Sequence, residues 1–81
     1  MPYIKQEDKD AINIGDRGPQ TPGELNYAIT RLCRNYFRFN GQTYQQINDV
    51  LGALDGCARE FYRRIAVPYE DGKIKENGDV Y

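Results

Sequence analysis

Tyr27, Arg31, Arg34 and Arg38 are the first residues whose types and spacing could do chemistry. At 100° per residue they share one face of a helix. Arg59 and Arg63 share an outer face further along, together with Gly52 and Gly56. Arginines beside a tyrosine can grip phosphates or a carboxylate-rich partner, because the guanidinium fork matches both anions. The competing reading is a solvated helix surface that uses arginine for helix propensity and for local pairs such as Asp55–Arg59 and Glu60–Arg64. A sequence pI near 5.3 makes non-specific nucleic-acid binding the less favoured function.

Other chemistries lack their parts. The chain has no histidine, which removes the commonest general base and the commonest metal ligand together. Its two cysteines, Cys33 and Cys57, cannot complete a four-ligand zinc site. Without an export signal they read as small buried hydrophobes that stay reduced. Glu70, Asp71, Glu76 and Asp79 lie in a polar tail without a matching set elsewhere, and no EF-hand spacing fits. No catalytic residue, metal site or cofactor is expected. Gly52 and Gly56 sit one turn apart in mid-helix, where each costs about 1 kcal/mol against alanine. That predicts a close neighbour: the N-terminal arm, the acidic tail or a second chain.

The elements that must position these residues are two amphipathic helices spanning residues 21–66. The first places Leu25, Ile29, Leu32, Tyr36 and Phe39 at helical spacing, and the second Ile47, Leu51, Leu54, Ala58, Phe61 and Ile65. Each row keeps one side of its helix apolar, so the two can close on each other. Thr21-Pro22-Gly23-Glu24 is a start signal: Thr21 can cap, Pro22 suits the first position, and Glu24 can bond back to the Thr21 N–H. Asn40-Gly41 supplies a left-handed stop. Thr43-Tyr-Gln-Gln46 repeats the start, and Pro68 ends the second helix.

Flanking these are two polar arms. In residues 1–20, Lys5 to Ile12 can make one or two helical turns before the loop Gly15-Asp-Arg-Gly-Pro19. In residues 67–81, Asn77-Gly78 closes either a short helical turn, the favoured reading, or a hairpin. Tyr3, Tyr69 and Tyr81 are placed to pack the arms down or to meet a partner. Residues 21–66 carry six arginines against four acids, whereas all four lysines lie in the arms. A chain of 81 residues makes one small domain and buries only about 60% of its unfolded surface. No run approaches the roughly 18 apolar residues of a membrane span, so the cytoplasm is the default location.

The segments Pro22-Gly-Glu-Leu-Asn-Tyr-Ala-Ile-Thr-Arg-Leu32 and Glu60-Phe-Tyr-Arg-Arg-Ile-Ala-Val-Pro-Tyr-Glu-Asp71 carry a resemblance. So do the opening Met1-Pro-Tyr-Ile-Lys-Gln6 and the closing Glu76-Asn-Gly-Asp-Val-Tyr81. Together they resemble a family of short proteins of unknown function found mostly in tailed-phage and environmental viral sequences. The resemblance implies a viral setting in the host cytoplasm and arms that are folded parts of the domain. It supplies no activity. Residues 11–20 depart from the family's longer helical stretch through Gly15, Gly18 and Pro19.

The expected fold is therefore all-α. It is an antiparallel helical hairpin over residues 21–66 with short arms, one domain over residues 1–81. Apolar groups beside each row, Ala28, Cys33 and Phe37 on the first helix and Val50, Cys57 and Tyr62 on the second, exceed what one partner helix covers. A four-helix bundle formed as a homodimer would cover them. The expected function is a non-enzymatic protein-interaction or regulatory module with an unidentified protein partner. The alternative is a nucleic-acid or nucleotide-phosphate binder using the arginine face, and no membrane is involved.

Overall fold

Helix starts and stops are local chemistry, and here most of them form as the residues dictate. In the computed structural model, which describes residues 3–81, every regular element is helical. These are α1 (Gln6–Asn13), α2 (Pro22–Phe39), α3 (Tyr44–Phe61), a π-helical turn (Tyr62–Ala66) and α4 (Val67–Asn77). The chain divides into two compact units, residues 1–47 and 48–81.

In the first unit, α1 ends where Gly15 adopts φ 75°. The Gly15 N–H then reaches the Ile12 carbonyl at 3.1 Å and the Asp16 N–H the Ala11 carbonyl at 2.9 Å. Both orphan carbonyls are satisfied in one turn, a closure that a side chain at Gly15 would strain. α2 begins with Thr21 in extended geometry, its hydroxyl accepting from the Glu24 N–H at 3.1 Å. The expected return bond from the Glu24 carboxylate to the Thr21 N–H is corrected. The carboxylate goes one residue further back, to the Gln20 N–H at 3.0 Å, because it is drawn toward Arg17.

α2 stops as Asn40-Gly41 suggests. Gly41 takes φ 115° and Gln42 φ 55°, letting the Gln42 N–H donate to the Phe37 carbonyl at 3.2 Å. The Asn40 side-chain amide covers the Tyr36 carbonyl at 2.8 Å. At the start of α3 the Gln46 side-chain oxygen accepts from the Thr43 N–H at 3.1 Å and also from the Thr43 hydroxyl. Only the Gln46 half of the Thr-x-x-Gln box forms: both bonds run from Thr43 to Gln46, and the Gln46 N–H goes to the Thr43 carbonyl at 3.1 Å.

In the second unit, Pro68 does not end the helix. Regular α-geometry would drive its ring into the Arg64 carbonyl and leave that carbonyl without a donor. The chain instead widens by one residue over Tyr62–Ala66, with the Val67 N–H bonded to the Tyr62 carbonyl five residues back. Pro68 then falls just beyond the π turn, at the start of α4. The favoured helical reading of the tail holds, over a longer span than one turn. Gly78, at φ 88°, closes α4 through a 2.8 Å bond to the Ile74 carbonyl. Replacing Pro68 with alanine restores the donor, and the π turn is expected to revert to α-geometry. The gain in stability should stay well below the about 3 kcal/mol of a mid-helix proline, since the π turn already absorbs most of the clash. A thermal melt with circular dichroism checks this; a loss of stability would show that the π turn is held by something other than Pro68.

Among the described residues no apolar side chain is buried. Leu32 and Phe39 on α2 are 70% and 76% exposed, and Leu51 on α3 is 60% exposed. Tyr3, Tyr69 and Tyr81 are exposed too, so they do not pin down the arms. No helix among the described residues is long and apolar enough to cross a membrane. Within the first unit α1 lies against α2, with Ala11 and Ile12 half-buried and polar side chains linking the two helices.

Candidate functional site

Arg17 leaves the loop after α1 and places its guanidinium between two acids from different helices. One amine, Nη2, donates to Asp8 Oδ1 of α1 at 2.7 Å and to Glu24 Oε2 of α2 at 3.1 Å. The other, Nη1, donates to Glu24 Oε1 and to the Gly18 carbonyl at 3.2 Å. Glu24 thus takes the fork in both oxygens and adds the Gln20 N–H. It is the one buried side chain among the described residues, 6% exposed. A buried carboxylate survives ionised only when its oxygens are occupied, as they are here. Hydrogen bonding from Arg17, then from the Gln20 N–H, holds the Glu24 carboxyl below the usual carboxylate range. The same hydrogen bond from the other side pushes the Arg17 guanidinium further up.

A second contact ties the same two helices. The Tyr27 hydroxyl donates to Asn13 Oδ1 at 2.9 Å, and Lys9 Nζ stands over the Tyr27 ring, 5.9 Å from its centre. Tyr27 is therefore engaged by α1.

The arginines divide into two groups by their surroundings. Arg31, Arg34 and Arg38 are exposed along α2, and among the described residues no ion pair involves them. Arg38 lies over the neighbouring Phe39 ring at 5.7 Å. The arginines of the second unit are answered by acids one turn back. Arg59 bonds Asp55 at 2.8 Å, and Arg63 and Arg64 both reach Glu60 at 3.0 Å. The Asp55–Arg59 and Glu60–Arg64 pairs are the local ones the spacing predicted. Arg59 and Arg63 are thus each in an exposed ion pair, with Glu60 shared between Arg63 and Arg64.

Gly52 and Gly56 face open space: a Cβ added at either meets nothing within 4 Å. No neighbour within the chain accounts for them. The acids of the tail form no metal set, and among the described residues no group of three potential ligands comes together. Cys33 is half-buried and Cys57 exposed, both free, in place of the two buried thiols expected. Sequence reasoning missed Arg17, Asp8, Lys9 and Asn13. An arginine inside the Gly15–Pro19 loop with an acid on the helix at either side was the available signal.

The family model described as a domain of unknown function (DUF6899) matches residues 1–80 of the chain. No curated protein and no solved structure matches it.

Proposed function

We propose a role that starts from membership: the chain belongs to the DUF6899 family of domains of unknown function, and its helices suit a non-enzymatic protein-interaction module. The observation that carries this reading is the exposure of two long apolar rows in a chain without a buried apolar side chain among its described residues. Water-facing rows of leucine, isoleucine and phenylalanine on this scale mark surfaces that associate. In this proposal α2 and α3 form an antiparallel hairpin, and two hairpins pair as a four-helix homodimer. A viral setting, with the protein acting in the cytoplasm of an infected host, belongs to the same proposal. It rests on the resemblance carried by residues 22–32 and 60–71.

Light scattering after size exclusion tests the central claim. The expected mass is about twice 9.4 kDa, with a melting temperature that rises as protein concentration is raised over a hundredfold range. A 9.4 kDa species with a concentration-independent melt overturns self-association.

A further inference from the structure

Among the described residues the arginine row of α2 has no ion pair, unlike the arginines of the second unit. The only acid on α2 is Glu24, and Arg17 consumes it. The nearest acid of α1 by the same contact, Asp8, is consumed as well. The structure also lengthens the row. By docking on α2, α1 sets Lys9 over Tyr27, one turn before Arg31 on the same side of the helix. Lys9, Arg31, Arg34 and Arg38 then form a line of four cations on one rigid support.

Their spacing is regular. At about 1.5 Å rise per residue, successive arginines stand about 4.5 and 6 Å apart along the axis. Nucleic-acid strands present a phosphate every 3.4 Å of helix axis, so long arginine side chains at this pitch can each reach a separate phosphate. The guanidinium fork fits two phosphate oxygens at once. Base recognition has no equivalent support. Tyr27 is the one aromatic ring in the row, and its hydroxyl and ring face are already occupied by Asn13 and Lys9. The exposed Phe39 ring lies beside the row, and Arg38 stands over one of its faces at 5.7 Å, so aromatic surface for stacking an unpaired base is confined to one end of the row.

We propose that Lys9, Arg31, Arg34 and Arg38 form a binding face for the phosphate backbone of duplex nucleic acid, read without regard to sequence. This goes beyond the association proposed above and does not depend on it. The row lies on the side of α2 opposite Leu25, Ile29, Leu32 and Tyr36, so it stays open whether or not those residues are covered. A net charge of −1 keeps the binding weak. A dissociation constant in the non-specific range, on the order of 10⁻⁴ to 10⁻⁶ M, is expected at physiological salt.

The test is fluorescence anisotropy of two short DNA duplexes of unrelated sequence, titrated with the full chain at several salt concentrations. Four phosphate contacts predict a slope of log affinity against log salt of about −3.6, equal for both sequences. Changing Arg31, Arg34 and Arg38 together to glutamine should bring the slope near −1 and weaken binding below detection at moderate salt. R59Q with R63Q should leave both quantities unchanged. Circular dichroism reports whether the triple variant is folded. If it is not, Lys9→Gln and Arg34→Gln singly should each remove about one unit of slope, and an unchanged slope in both overturns the proposal. Absence of binding at low salt overturns it, as does an equal loss in the Arg59/Arg63 variant. Equal affinity for a polyglutamate peptide of matched charge overturns it in favour of an acidic protein partner.

Discussion

Replacing Glu24 with glutamine is expected to release α1 from α2 while leaving α2 helical. The carboxylate is what binds the Arg17 fork and the Gln20 N–H, and a neutral amide offers one acceptor where two charged ones stood. The Thr21 cap survives, because it uses the Glu24 backbone N–H rather than its side chain. α1 has eight residues, too few to hold a helix alone. Its amides should therefore exchange at nearly the rate of an unstructured chain, with α2 amides little changed. Unaltered protection of α1 in the variant would show that the ion pairs do not hold it.

The same contact sets a pH dependence with a definite sign. Glu24 titrates lower in the folded chain than in the unfolded one, chiefly through the Arg17 hydrogen bond. The unfolded state therefore binds the proton first, and stability rises with pH across that interval. The contribution is complete above the ordinary value near 4.5 and is lost as pH falls through the depressed one. Protection of α1 should drop on acidification below about pH 4.5 in the natural chain, and the E24Q variant should lack this step. Arg17 is displaced upward, so its contribution persists to strongly alkaline pH.

The other large effect expected is on association. Leu32→Glu combined with Leu51→Glu should hold the chain at 9.4 kDa at concentrations where the natural chain associates. On an exposed, unpartnered helix face such changes shift stability by no more than about 0.5 kcal/mol, and glutamate keeps good helix propensity. If the rows are covered by a second copy, each leucine contributes about 2 kcal/mol of burial. A homodimer carries each leucine twice, so the variant loses four, about 8 kcal/mol, and association weakens about a millionfold before the cost of burying charge is counted. Thr30→Glu, on the polar side of α2, is the control and should leave the mass unchanged. A double variant that associates like the natural chain would show that these rows are not the interface.

How far the residues alone reveal this molecule follows from the range of each interaction. Thr21, Pro22, Asn40, Gly41, Thr43 and Gln46 act within five residues of themselves, and their effects can be read from the sequence. The apolar rows give helix identity by period alone, so all-α was legible as well. Arg17 was not, because its partners lie nine and seven residues away on opposite sides of a loop. No local rule says which acid a loop arginine will choose. The Tyr27 contact was hidden for the same reason: its hydroxyl meets a residue fourteen positions back. Pro68 was misread because the rule that proline stops a helix assumes α-geometry just before it. A π turn removes that assumption.

That turn also changes what lies along the helix beyond it. One inserted residue rotates everything downstream by about 100° relative to an unbroken α-helix. Without it, Tyr69 would continue the row of Leu51, Leu54, Phe61 and Ile65. With it, Glu70 and Lys73 take up that bearing, Tyr69 falls beside Phe61 at the edge of the row, and Ile74 turns toward it. The hydrogen-bonded rod runs on to Asn77, so Pro68 acts as a phase shifter that decides which residues of α4 extend the sticky edge of α3.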